Sequence, residues 1–305
     1  MFSDIRDKPR LNHADILQLN FIRSPGHFYF RRHHRAGLRS HIMAVLDPEG
    51  VKREKEGIER EGVTWFPKAK PLKMLRIFRT RFDRLEDAKY ELDCVKMVEK
   101  YLGPTMARSS EFLVDYEMHG KYETLLCGLQ EYVEGEILDP WGSLDKHSLW
   151  ALFCRMADRD SVQTDDRIRE KEAQIDWAEN VRKRALRALA QIRKMVAEAR
   201  FIPDLAGVGN LLLTRSGEMK LVDINNISRV SCEATILCDD KGYPVCDKSV
   251  EALSLLEQKL LGCSLNKMDP VYGVFLDPGR MKEVRALEKI FHRSMGPAGS
   301  SYPVG

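Results

Sequence analysis

The stretch Phe201–Ser228, FIPDLAGVGNLLLTRSGEMKLVDINNIS, decides the reading of the fold. It holds two apolar runs of strand length, Leu211 to Leu213 and Met219 to Val222, on either side of Ser216-Gly217, a dipeptide that closes β-hairpins. Asn210 stands just before the first run and Asp223 just after the second. Folding the hairpin brings an amide and a carboxylate side by side at its open end. Two oxygen ligands on a rigid hairpin suit Mg²⁺, a hard cation that keeps several waters and takes further ligands from a phosphate chain. The competing reading is a surface hairpin that merely has a polar residue at each end.

This stretch resembles the catalytic and metal loops of the protein kinase-like superfamily, which run H-R-D-x-x-x-x-N, a hairpin, then D-F-G. Thirteen positions separate Asn210 from Asp223, the separation of that family's two Mg²⁺ ligands. The resemblance implies Asn210 and Asp223 as metal and cofactor ligands and Asp204 as the catalytic base. Three departures accompany it. Phe201-Ile202-Pro203 precedes Asp204 where the family has His and Arg. Asp204 lies six residues before Asn210 where the family has five. Asp223 is followed by Ile224 and Asn225 instead of Phe-Gly.

Upstream, Leu72 to Phe82 has the β-branched and aromatic content of a strand. Asp83 followed by Glu86 has the spacing of a capping box, and Ala88, Leu92, Val95, Val98 and Leu102 form an apolar helical stripe that ends at Gly103-Pro104. Strand followed by helix is similar to the kinase-like small lobe, where a strand Lys holds the nucleotide phosphates and pairs with a helix Glu. The resemblance puts Arg76 at the Lys position and Glu91 at the Glu position, both cofactor-binding. Arg is not equivalent to Lys there, because its fork is planar and longer. Phe112 to Val133 reads as two strands meeting at Gly120-Lys121. The end of the second, LQEYVEGEIL, resembles the segment between the kinase lobes, so Glu131 and Val133 are expected to offer backbone groups to adenine.

Between that segment and the deciding stretch the periodicity is helical. Ser148 to Met156 is a short helix, and Arg167 to Arg200 a long one, with Ile175, Ala178, Val181, Ala185, Leu189, Ile192 and Val196 as its apolar stripe. Downstream, Val250 to Leu261 reads as a helix stopped by Gly262, and Gly279 to Phe291 as a last one.

Near the N-terminus, His27 to His41 mixes aromatics with cations. It could meet an anionic surface, but period-two alternation favours a strand with Phe28 and Phe30 inward. Residues 47–62 are charged and read as a loop or short helix. Gly57 and Gly62 match only faintly the glycine-rich loop that covers phosphates in the resembled family, and a plain loop is the favoured reading.

The chain has 305 residues and a formal net charge of +3, enough length for two lobes and too little charge to argue for nucleic acid. Its seven cysteines form no C-x-x-C pair, which points to reduced thiols in a cytoplasm. No apolar run is long enough for a transmembrane helix. The expected fold is α+β, bilobed and protein kinase-like, with a β-rich small lobe at 1–130 and a helical large lobe at 131–305. The function this implies is ATP- and Mg²⁺-dependent phosphoryl transfer to a non-peptide hydroxyl, on a small-molecule or lipopolysaccharide-like acceptor as in bacterial kinases of that kind. The alternative is a kinase-like pseudoenzyme that binds nucleotide or regulates a partner. The absence of an A-P-E motif argues against a kinase that grips peptides.

Overall fold

The computed structural model describes residues 4–33, 39–157, 167–266 and 268–295. The chain is mixed α+β with an antiparallel main sheet. It divides into two compact units. One comprises Met1–Cys94 and Ala107–Tyr132, and the other Val95–Met106 and Val133–Gly305.

The first unit is built on a five-stranded sheet. Its strands are β1 (Tyr29–Arg32), β2 (Ser40–Leu46), β5 (Pro71–Phe78), β6 (Ser109–Met118) and β7 (Lys121–Glu131), in the order β1-β2-β5-β7-β6. All neighbours are antiparallel. Alternation along the strands gives the sheet two faces. One carries Phe30, Val45, Met43, Leu75, Ile77, Leu125 and Cys127, and is packed against an N-terminal segment through Ile5, Leu11, Ile16 and Leu19. That segment includes α1 (His13–Leu17), which opens with a capping box between Asn12 and Asp15.

Between β2 and β5 come α2 (Pro48–Glu56) and a hairpin of β3 (Ile58–Arg60) and β4 (Val63–Trp65). Asp47 caps α2, and Gly57, Glu61 and Gly62 take positive φ at the ends of the hairpin. Gly57 thus ends α2 and Gly62 sits in the turn of the hairpin. The first two strands of the sheet are joined by residues 33–39, of which 34–38 lie outside the described residues.

The basic aromatic stretch is corrected in part. Phe30 is buried as expected of an inward strand residue, but Phe28 precedes the strand and is 42% exposed. His41 is buried and bonded to the Ile5 carbonyl, so it belongs to the core and not to a cationic surface.

The helix after β5 is α3 (Leu85–Leu102). It starts two residues beyond Asp83, and Arg84 at its mouth is held by Asp87 at 2.8 Å in place of the expected Asp83–Glu86 box. Its first half belongs to the first unit and its second half to the second.

The second unit is organised around α5 (Arg167–Ala199), preceded by α4 (Lys146–Ala157). Val181, Ala185, Leu189, Ile192 and Val196 are buried, as the stripe demands, in a core shared with Val98, Leu102, Leu211, Leu213, Leu253 and Leu256. The rest of the unit is short β elements and helices: β8 (Glu136–Ile137), β9 (Phe201–Ile202), β10 (Leu211–Leu213), β11 (Met219–Leu221), β12 (Ser228–Arg229), α6 (Val245–Leu261), α7 (Pro270–Phe275) and α8 (Pro278–Met295). Helix α6 begins five residues before the expected start. Its first turn carries Asp247, Lys248 and Ser249, polar side chains that are nonetheless buried and so break the apolar pattern. No described helix is long and apolar enough to cross a membrane.

Candidate functional site

Two β ladders hold the deciding stretch. β10 and β11 pair antiparallel, with Leu211 opposite Leu221. The ladder runs one bond further, from the Val222 N–H to the Asn210 carbonyl at 2.8 Å. The hairpin turn is closed by Gly217, whose φ is +79° and where an added Cβ would lie 3.1 Å from Val181 of α5. A second ladder pairs Ile202 of β9 with Ser228 of β12, and Phe201 with Arg229. The loops 203–210 and 222–227 are therefore pinned at both ends and lie side by side. One holds Asp204 and Asn210, the other Asp223.

Within the first loop the side chains do specific work. Asp204 is buried, at 4% exposure, and its Oδ1 accepts the backbone N–H groups of Ala206 and Gly207 at 2.9 and 3.0 Å. It thereby supplies acceptors to a tight loop whose donors face no strand. The Leu205 N–H donates to the Ser249 hydroxyl of α6 at 3.1 Å, which ties the loop to the helix beneath it. Asn210 Nδ2 donates to the Asp204 carbonyl at 3.0 Å, while its Oδ1 takes no hydrogen bond among the described residues. Gly207 makes this possible: a Cβ there would lie 2.4 Å from Asn210 Nδ2. Gly209 takes φ +83°, a left-handed conformation that favours glycine.

In the second loop Asp223 is half-buried, and its Oδ1 accepts the Asn225 N–H at 3.1 Å. Ile224, where the resembled family has Phe, is fully buried in the core of the unit. Asn226 Nδ2 reaches Asp239 at 3.3 Å. Asn210 and Asp223 thus occupy neighbouring positions at the open end of one hairpin. Among the described residues no group of three or more His, Cys, Asp or Glu could hold a metal ion.

The remaining expected residues lie in the first unit or at its edge. Arg76 sits in the middle of β5, 2% exposed, and its Nη2 donates to Glu111 Oε1 at 2.8 Å and to Ser109 Oγ at 3.3 Å. Room for this pair comes from Gly128 across the ladder, where a Cβ would lie 3.3 Å from the Glu111 carboxylate. Glu111 is the partner that the sequence reasoning missed. Its signal was available in the strand alternation, because it shares with Arg76 the sheet face that passes through Gly128. Glu91 lies on α3 and is half-buried. Glu131 ends β7. Its N–H donates to the Arg108 carbonyl at 2.8 Å, and its carboxylate accepts the Arg108 N–H at 3.0 Å. Val133 follows just past the point where the chain passes from the first unit to the second.

A buried ionic cluster lies in α6 and α8. Lys248 Nζ is 2.7 Å from Glu251 and 3.1 Å from Glu288, and sits 4.9 Å from the centre of the Trp141 ring. Tyr243 donates to Glu288 at 3.3 Å, and burial followed by the Glu288 charge pushes its phenol well above the usual range.

Compared with models of known families and with curated proteins, the sequence matches none.

Proposed function

We propose that the chain is a kinase-like phosphotransferase that uses ATP and Mg²⁺ to modify a non-peptide hydroxyl, such as that of a small molecule or a lipopolysaccharide-like acceptor. The observation that carries this reading is the pair of pinned loops, with Asn210 and Asp223 adjacent at the open end of one hairpin. In this reading the two units correspond to the small and large lobes of a bilobed kinase-like fold, and the crossing after Tyr132 corresponds to the segment that offers Glu131 and Val133 to adenine. The order of elements supports it: a strand with a central cation, a helix, two strands, a crossing, a long helix, then the two loops. Asn210 Oδ1 and Asp223 would hold the metal, which neutralises phosphate charge when bound. Phosphoryl transfer asks mainly for positioning and charge neutralisation, so few side chains suffice.

The pseudoenzyme reading has its own support. Asp204 Oδ1 is occupied by two backbone donors, and Arg76 Nη2 is engaged by Glu111 and Ser109 within the sheet. A kinase-like scaffold with its base and phosphate anchor so occupied could bind nucleotide without turning it over.

Thermal unfolding with ATP, with and without Mg²⁺, tests the common ground of both readings. A ligand that binds only the native state raises stability by mass action, by about 2.7 kcal/mol at a hundred times its dissociation constant. A rise in Tm that requires both ATP and Mg²⁺ is the expected result. No rise at millimolar ATP·Mg²⁺ would sink the phosphotransferase and the nucleotide-binding pseudoenzyme, and would leave only a module that regulates a partner.

A further inference from the structure

We propose that the first unit binds a single-chain anionic amphiphile, an acyl chain ending in a carboxylate or a phosphate. The site is a cavity of about 580 Å³ on the sheet face that carries the N-terminal segment. It is remote in sequence from the two loops of the phosphotransfer reading and does not depend on that reading.

The N-terminal segment covers only part of this face. Ile5, Leu11, Ile16 and Leu19 pack over Met43, Ile77, Leu125 and Cys127. The segment is then pinned to β6 by Asn20 Nδ2, which donates to the Asp115 carbonyl at 2.7 Å, and Phe21 and Ile22 form one wall of the cavity. The floor is Leu75 and Val45, both almost wholly buried. Around it, Phe28, Leu72 and Leu129 remain 42%, 52% and 40% exposed. Large apolar side chains left in water singly are ordinary, but several of them around one concave apolar floor mark a binding site.

The cations give the ligand its sign. Arg23 and Lys73 line the same cavity, both are exposed, and neither has an ion pair among the described residues. Lys73 stands in register with Val45 on β2 and with Glu131 on β7, whose carboxylate is taken by the Arg108 N–H. Among the described residues, Asp115 is the one carboxylate that lines the cavity. Two unpaired cations against one carboxylate, beside an apolar floor, complement an anionic head and an apolar tail. The size of the cavity selects a small molecule over a polypeptide, since sites of roughly 300–1,000 Å³ hold ligands whereas stable protein partners need a wide face.

Isothermal titration of the full chain with palmitate and, separately, with palmitoyl lysophosphatidate, both below their micellar concentrations, tests the proposal and separates the two head groups. Dodecyl maltoside serves as the neutral amphiphile. Saturable binding of one molecule per chain to at least one of the anions is expected, with dodecyl maltoside at least tenfold weaker. The double variant Arg23→Glu/Lys73→Glu, confined to exposed side chains, should weaken the anion at least tenfold. Leu72→Asp, which puts a carboxylate at the mouth, should do the same, with circular dichroism confirming the fold of each variant. No saturable binding of either anion overturns the proposal and leaves the face to a protein partner. Binding unchanged in the double variant, or equal affinity for the neutral amphiphile, overturns it too.

Discussion

Asn210 donates its amide N–H to the backbone carbonyl of Asp204 at 3.0 Å, and this bond decides which end of the amide is left for a ligand. With the nitrogen held by the loop, Oδ1 is the end of the amide that the proposed metal role would use. The bond spans the additional residue that separates this loop from the kinase-like pattern, and it depends on the missing side chain at Gly207.

Gly207→Ala tests that dependence. An added Cβ would stand 2.4 Å from Asn210 Nδ2, closer than any real contact, so the amide must move. The expected cost is about 1–3 kcal/mol in urea unfolding, the usual range for a forced steric misfit. In the nucleotide-binding readings, the Mg²⁺-dependent part of ATP affinity should fall at least tenfold. Gly26→Ala, where nothing lies within 4 Å of the added atom, is the matched control and should leave both measurements unchanged.

His41 makes the first unit sensitive to acid. Its Nε2–H donates to the Ile5 carbonyl at 2.8 Å, and Arg79 Nη2 donates to its Nδ1 at 3.3 Å, so the folded ring is neutral. Burial first, and the Arg79 charge second, push its pKa down from 6.5 to about 4. Between those values the unfolded chain binds a proton that the folded chain refuses. Stability is therefore complete above pH 6.5 and lost as pH falls towards 4, on the order of 3 kcal/mol at most. Urea midpoints from pH 7 to pH 4 should decline in the wild type and decline less in His41→Gln. Equal slopes in the two proteins would remove His41 as the cause.

Much of this architecture is legible in the sequence, because the pattern that specifies it is apolar. The α5 stripe, the hairpin of Leu211–Leu213 and Met219–Leu221, and the β6–β7 turn at Gly120 follow from period and turn chemistry alone. What escaped is what is buried and polar. Glu111 beside Arg76, the ring of His41, and the first turn of α6 with Asp247, Lys248 and Ser249 all carry side chains that a hydropathy pattern assigns to water. Each is buried because a partner distant in sequence neutralises or hydrogen-bonds it, and that pairing has no local signature. The candidate site divides the same way. Neighbouring positions for Asn210 and Asp223 follow from the hairpin, whereas the binding of Asp204 Oδ1 to its own loop does not.

Lys248 provides a test of the buried cluster. Its ammonium lies between Glu251 and Glu288 over the Trp141 ring, so Lys248→Met leaves two carboxylates buried with no cation between them. Breaking a buried ionic group from one side costs about 3–5 kcal/mol, more than the group itself contributes. Lys248→Met should therefore unfold at markedly lower urea. Lys248→Met combined with Glu251→Gln and Glu288→Gln should recover part of that loss, because no unpaired charge remains. If the triple variant is less stable than the single one, the cost lies in packing and not in charge.

Asp204 separates the two functional readings, because its Oδ1 has a structural task that its charge does not define. Asn at this position keeps an oxygen to accept the N–H groups of Ala206 and Gly207, now at 2.9 and 3.0 Å. Asp204→Asn should accordingly fold within about 1 kcal/mol of the wild type, whereas Asp204→Ala leaves two donors without an acceptor and should lose about 1–3 kcal/mol. A general base needs the carboxylate itself, within about 3 Å of the hydroxyl it serves or through one water. In the phosphotransferase reading, Asp204→Asn therefore keeps the ATP·Mg²⁺ shift in Tm and loses turnover by a hundredfold or more. Asp223→Ala should show the converse, losing the Mg²⁺-dependent shift itself. Turnover in Asp204→Asn equal to that of the wild type would remove Asp204 from the chemistry. If the wild type binds ATP·Mg²⁺ and transfers no phosphate to any member of a broad hydroxyl panel, the carboxylate is only the cap of its loop and the pseudoenzyme reading stands.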